Sequence, residues 1–159
     1  MLYMIAIIVI ALDQLIKWLV VTHMVLNQAI VMIPGVVDLF YIQNDGAAFS
    51  LFINQRILLI VVSLLVMAVI VFIERRHAVR KWDQLVALGL LLGGAAGNLV
   101  DRVHLGYVID YVYLPFIRFP VFNLADSAIV VSMFYLLLRF FFTNEEKNKK
   151  NDGRDDSHE

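Results

Sequence analysis

Two aspartates stand out for the chemistry they could do together. Asp110 lies in Val108-Ile109-Asp110-Tyr111 and Asp126 in Phe122-Asn123-Leu124-Ala125-Asp126-Ser127, across a short connection rich in aromatic residues. Two carboxylates brought together in a partly dry site share a proton, because like charges at close range do not both ionise easily. Such a pair can activate water for attack on a peptide carbonyl. Asp126 begins an apolar run, so it sits near a helix N-terminus and is the easier of the two to ionise. Asp110 would then hold the shared proton more often, although strictly the pair titrates as a unit with two macroscopic values. Each residue also has a plainer reading. Asp110 alone is an ordinary loop carboxylate, and Asn123 with Asp126 three residues on has the form of a helix capping box.

Other polar residues sit close to apolar sequence, where ionisable groups are costly and are therefore functional candidates. Asp13 and Lys17 are one helical turn apart with the acid first, the favourable order for a pair. They read as structural support, with Lys17 snorkelling to the interface, or as direct contacts for a substrate or lipid. Gly89, Gly93 and Gly97 recur every fourth residue, a spacing that lets helices approach closely. Gly94, Asn98, Asp101 and Arg102 fall on a neighbouring face. That face holds either a local ion pair or a network that orients something. No metal pattern is present: His23, His77, His104 and His158 are scattered and there are no cysteines. Ser127 adjoins Asp126, but no Gly-x-Ser-x-Gly elbow accompanies it.

The elements that must position these residues are set by composition. Of 159 residues 61% are hydrophobic and 17% are charged. Soluble domains average roughly 45–50% apolar and about 25% charged, so the chain reads as an integral membrane protein. The absence of cysteine removes disulfides and thiol catalysis. A net charge of −1 gives no sign of a nucleic-acid partner. Four apolar runs, about 2–21, 57–73, 85–102 and 124–142, have lengths near that of a membrane span and must be helical to satisfy their backbones in lipid. The first does not read as a cleaved signal peptide, since no basic residue precedes it and Asp13 and Lys17 interrupt it. Residues 1–143 form one membrane domain. The polar tail, 144–159, is expected to be disordered.

Lys and Arg set the orientation. Arg75, Arg76, Arg80 and Lys81 cluster between the second and third runs, and Lys147, Lys149, Lys150 and Arg154 fill the tail. Residues 23–55 contain no Lys or Arg, and 103–123 contain only Arg118. Both termini and the 74–83 loop are therefore expected on the cytoplasmic side. In the first outward connection, Ala29–Ile33 and Val36–Ile42 are β-prone and flanked by Pro34-Gly35 and Asn44-Asp45-Gly46, which predicts a small sheet resting on the membrane surface. The second, 104–122, carries Tyr107, Tyr111, Tyr113, Phe116 and Phe119, as an interfacial segment would.

The ordered set Asp13-Gln14-x-x-Lys17, Asn44-x-Gly46-Ala47-Ala48-Phe49, Gly94-x-x-x-Asn98-x-x-Asp101-Arg102, Val108-x-Asp110 and Phe122-Asn123-x-Ala125-Asp126 resembles the bacterial lipoprotein signal peptidases, the type II signal peptidases. Each motif is short, but five in order in a four-span chain are specific. The resemblance implies an all-α membrane protein: a four-transmembrane-helix bundle with a small extracytoplasmic β-cradle and an external loop or helix over the site. It implies an aspartyl endopeptidase of the bacterial cytoplasmic membrane, acting at the outer face and without a cofactor. Its partners would be membrane lipids and diacylglyceryl-modified prolipoproteins, cut just before the lipidated cysteine by a monomer. The catalytic aspartates map to Asp110 and Asp126. Supporting positions map to Asp13, Lys17, Asn44, Gly46, Gly94, Asn98, Asp101, Arg102 and Asn123. Ile16 stands where the family often has Ser or Thr, and the segment between the aspartates is short for the family.

Two other classes make different predictions. A small proton-coupled transporter would use Asp13, Asp101 and Asp110 as relay groups around a midplane site, with repeat symmetry or broken helices. A non-catalytic scaffold leaves Asp110 and Asp126 without a purpose.

Overall fold

The computed structural model describes residues 1–46, 51–77 and 81–155. Ala47, Ala48 and Phe49 of the Asn44 motif, Arg80, and the tail from 156 lie outside them. Four helices carry the architecture: α1 (Leu2–His23), α2 (Arg56–His77), α3 (Trp82–His104) and α4 (Leu124–Asp155). Each contains a stretch long and apolar enough to cross a membrane. Their outer faces bear exposed apolar side chains, such as Ile7 and Trp18 on α1, Ile57 and Leu65 on α2, and Val130 and Phe134 on α4. Exposed apolar residues in such numbers belong against lipid. The protein is a multi-pass membrane protein. α4 continues as helix to Asp155, where a disordered tail had been expected from Asn144. Glu145, Glu146, Lys147, Lys149 and Lys150 are residue types of good helix propensity.

The helix α3 is the hub. Glycines on one face let α1 lie alongside it in parallel. A Cβ on Gly93 would come within 2.7 Å of Val9 Cβ, and one on Gly97 within 2.7 Å of Asp13 Oδ2. Gly94, on the next face, serves α4 in the same way: a Cβ there would meet the Ala125 carbonyl oxygen at 2.5 Å. At the end of the bundle away from the sheet, Leu2, Ala6, Ile70, Leu88, Leu91 and Leu92 form the apolar core. Asp83 of α3 ties that end to α4 through Tyr135 and Arg139.

The other end is closed by a three-stranded antiparallel sheet in the order β1-β2-β3. Its strands are β1 (Ala29–Ile33), β2 (Val37–Asn44) and β3 (Val108–Tyr113). Gly35 at φ +73° makes the β1–β2 turn, as the Pro34-Gly35 signal predicts. The third strand lies within the segment read from sequence as interfacial. Its first four residues, Val108 to Tyr111, are all buried, so the alternation that marks a half-buried strand is missing. Beneath the sheet, Tyr41, Ile109 and Tyr111 pack with Val20 of α1 and with Met24 just beyond its end. The chain then loops through 114–121, in turns and without a helix. It returns at Phe122, which exchanges backbone hydrogen bonds with Val112 (2.8 and 3.0 Å). Of the external loop or helix expected over the site, the loop is what is present.

Candidate active site

The N-terminus of α4 is the keystone of the polar cluster. A helix start leaves its first backbone N–H groups without intrahelical partners. Here two other elements and the residue preceding the helix supply them. The Leu124 amide donates to Tyr111 Oη of β3 (3.1 Å), the Ala125 amide to Asp13 Oδ1 of α1 (3.0 Å), and the Asp126 amide to Asn123 Oδ1 (2.8 Å). Asp126 Oδ2 accepts in return from the Asn123 amide (3.3 Å), so the capping box is present. Burial pushes the Tyr111 phenol above its usual range.

The capping role does not exhaust Asp126, whose other oxygen Oδ1 accepts from Asn98 Nδ2 of α3 at 2.7 Å. Asp110 is held from two sides. Asn123 Nδ2 donates to its Oδ1 at 2.7 Å, and Asn44 Nδ2 of β2 to its Oδ2 at 2.8 Å. Asn44 pairs with Val108 across the β2–β3 ladder, so it is the diagonal neighbour of Asp110 on one face of the sheet. Asn123 Nδ2 also reaches Asn98 Oδ1 at 3.1 Å. The two carboxylates are thus joined through a pair of side-chain amides. Burial, followed by the repulsion of the Asp126 carboxylate, pushes Asp110 up to about 7, against the hydrogen bonds from Asn44 and Asn123. A carboxyl group near 7 is poised to exchange a proton at physiological pH.

Behind this pair lies a buried ionic cluster. Lys17 Nζ is 2.8 Å from Asp13 Oδ2, 2.8 Å from Asp101 Oδ2 and 3.0 Å from Asn98 Oδ1. Lys17 is only 1% exposed and Asp13 is fully buried, so Lys17 does not snorkel to an interface. Asp101 Oδ2 also receives the Ile109 amide (3.2 Å), which fixes the first half of β3 to α3. Gln14 completes the cluster by donating to Asp101 Oδ1 at 2.8 Å. It stood in the first motif but was not among the site candidates, and its position beside Asp13 on the face toward α3 was the available signal.

Arg102 projects from α3 toward β2 and donates to the Gly46 carbonyl at 3.0 Å, while the Gly46 amide donates to Asn44 Oδ1 at 2.9 Å. A Cβ at Gly46 would be 2.7 Å from the Leu51 carbonyl oxygen, which explains glycine there. Gly94 has no side chain to offer the cluster; it brings the α4 N-terminus against α3. Of the eleven candidates, ten share a polar cluster and Gly94 supplies the close approach that closes it. Asn98, Arg102 and Asp126 line one side of a cavity of about 470 Å³, whose remaining wall is largely apolar and includes Leu114, Phe119 and Val130. Among the described residues no group of three or more His, Asp or Glu side chains is arranged to hold a metal ion.

Known proteins resemble this chain over most of its length. Residues 5–142 match the family model of signal peptidase (SPase) II. The lipoprotein signal peptidase of Streptococcus thermophilus strain CNRZ 1066 is 43% identical over 129 residues, covering 81% of this chain and 84% of its own. That of Streptococcus agalactiae serotype Ia is 41% identical over 134 residues, covering 84% and 87%. A solved bacterial membrane enzyme superposes with a TM-score of 0.87 at 26% identity, covering 91% of this chain and 89% of that one. A second gives 0.80 at 27% identity, covering 86% and 90%. The chain belongs to the signal peptidase II family.

Proposed function

We propose that the protein is an aspartyl endopeptidase that removes the signal peptide from diacylglyceryl-modified prolipoproteins, with Asp110 and Asp126 as the catalytic pair. The observation that carries this is the linkage of the two carboxylates through Asn123 and Asn98 where Asp126 borders an apolar cavity. In the reaction, Asp126 as carboxylate takes a proton from water while protonated Asp110 donates to the scissile carbonyl oxygen. The water oxygen adds to the carbonyl carbon. The tetrahedral diol collapses as the leaving amine takes up the proton held by Asp126 and one diol hydroxyl returns a proton to Asp110, which frees the amine of the lipidated cysteine and the signal peptide's new carboxylic acid, whose remaining proton is lost to solvent. Asn44 and Asn123 hold Asp110, Asn98 holds Asp126, and the Lys17 cluster fixes the elements behind them. Arg102 supports the Gly46 turn and adds positive charge beside the pair.

The apolar wall suits acyl chains that remain in the bilayer while the peptide bond reaches the polar end. The distribution of Lys and Arg supports cytoplasmic termini and a site at the outer face of the bacterial cytoplasmic membrane. Three helices of one chain, α1, α3 and α4, supply the helical contacts of the site, which favours a monomer. The transporter reading is not supported: the four spans are continuous helices, and broken helices around a midplane site are what it requires.

The test is cleavage of one prolipoprotein prepared with and without its diacylglyceryl group, with products identified by mass spectrometry. A single cut immediately before the cysteine, confined to the modified substrate, is expected. Equal cleavage of both forms, or none of either, contradicts the proposal.

A further inference from the structure

We infer that Arg56, at the start of α2, is a positioning residue that clamps the α3–β3 corner and thereby sets the placement of Arg102 and Asp110. The inference rests on the peptidase reading for its consequence and on geometry for the clamp itself. A helix C-terminus leaves its last carbonyls without intrahelical partners. In α3 the carbonyls from Val100 to Val103 have identifiable partners. The Val100 oxygen contacts His104 Nδ1 at 3.0 Å. The Asp101 oxygen accepts from the Leu105 amide (2.7 Å) and the Gly106 amide (3.3 Å). The next two carbonyls are taken by one side chain: Arg56 Nε donates to the Arg102 oxygen at 2.7 Å and Arg56 Nη2 to the Val103 oxygen at 2.8 Å. A guanidinium presents its donors in a rigid planar fork, which an ammonium cannot reproduce.

The corner so held is short and carries functional groups on both sides. Arg102 is the residue whose carbonyl is clamped. Gly106, at φ +93°, turns the chain out of the helix, and its open face lies against the Arg56 guanidinium, where a Cβ would be 3.4 Å from Nη1. β3 and Asp110 follow at once. The same residue is also tied at its other end, since the Arg102 side chain donates to Gly46. The chain leaving β2 at Gly46 and the chain entering α2 at Arg56 are therefore both anchored to Arg102, one by its side chain and one by its backbone. Arg56 is also the first Lys or Arg after Lys17. The chain has no other Lys or Arg between the two, and this cation has a specific partner in the α3 carbonyls.

A helix cap that only adds stability would lower Tm and leave turnover alone. A positioning residue lowers turnover while substrate binding persists. The experiment measures kcat and KM on the lipidated prolipoprotein, with amide hydrogen exchange at residues 105–109, for wild type, Arg56→Gln and Arg56→Lys. The Gln variant is expected to lose about tenfold in kcat, the scale of a sub-ångström misplacement, with KM within about twofold and faster exchange at the corner. The Lys variant is expected to fall between it and wild type. Wild-type kcat in Arg56→Gln, with or without a lower Tm, overturns the inference, as does a kcat loss with unchanged exchange. If the Gln variant does not fold, the Lys variant decides alone: reduced kcat with faster exchange upholds the clamp, and wild-type kcat overturns it. If wild type itself leaves the substrate uncut, the peptidase reading fails, and exchange at the corner still decides whether Arg56 is the clamp.

Discussion

Asn123 donates its side-chain amide to Asp110 at 2.7 Å while its side-chain oxygen caps the Asp126 amide at 2.8 Å. One residue therefore fixes the position of one carboxylate and the helix start that carries the other. Replacing it removes an N-cap, which costs about 0.5–2 kcal/mol, and frees Asp110 on one side. Asn123→Ala is expected to lower Tm by a few degrees and kcat by at least about tenfold. Asn123→Asp keeps the cap but places a third acid beside the pair, so it should retain more stability than activity. Thermal unfolding in detergent together with a cleavage assay separates the two effects.

The Lys17 cluster predicts a severe stability defect. Lys17 is the shared counter-ion of two buried carboxylates, Asp13 and Asp101, at 2.8 Å each. Removing one partner of a buried ion cluster typically costs about 3–5 kcal/mol, because the remaining charge is stranded. Lys17→Met should accordingly reduce the yield of folded protein and its Tm. Adding Asp13→Asn to Lys17→Met should recover part of the loss. Equal Tm for wild type and Lys17→Met would contradict the burial of this cluster.

Asp110 gives a pH dependence with a defined sign. Its folded-state value is pushed from 3.8 up to about 7, so between those values the folded protein holds a proton that the unfolded chain has released. The contribution of Asp110 to stability therefore falls as pH rises from about 4 to about 7. Asp110→Asn should show a flatter Tm profile over that window. Activity should fall above about pH 7, as the carboxyl group that donates to the substrate carbonyl loses its proton. A wild-type rate that keeps rising through pH 8 would contradict the assignment of the protonated partner.

Helix spacing gives a prediction independent of chemistry. A methyl group at Gly94 would stand 2.5 Å from the Ala125 carbonyl oxygen, so Gly94→Ala must push α4 away from α3. Overpacking of this kind costs about 1–3 kcal/mol, and the displaced helix start carries Asp126. Lower Tm and lower kcat are expected together. Gly35, whose would-be Cβ meets nothing within 4 Å, adopts φ +73°, so Gly35→Ala strains the β1–β2 turn without touching the site and should leave kcat near wild type.

The apolar runs made the four spans legible, because a membrane span is a property of composition and length. The first two strands were legible from β-branched residues between turn signals. β3 was hidden, since Val108-Ile109-Asp110-Tyr111 is buried throughout and its aromatic content imitates an interfacial segment. The capping arrangement of Asn123 and Asp126 could be read from their spacing. The fate of Lys17 could not, because snorkelling and burial begin from the same Asp13–Lys17 spacing. What decided it was Asp101, Asn98 and Gly97 on a helix far away in sequence. Arg56 was invisible for the same reason: its partners are two backbone carbonyls, which leave no mark in a sequence.

The proposed peptidase requires Asp110 and Asp126 to act as a proton-sharing pair. The most direct measurement is single-turnover cleavage of a diacylglyceryl-modified prolipoprotein by wild type, Asp110→Asn and Asp126→Asn, each shown to be folded by its Tm. An isosteric amide keeps size and hydrogen bonding but cannot take the proton. Loss of about 10²–10⁴-fold or more in both variants is predicted. A folded variant of either aspartate that cleaves at the wild-type rate would contradict the account.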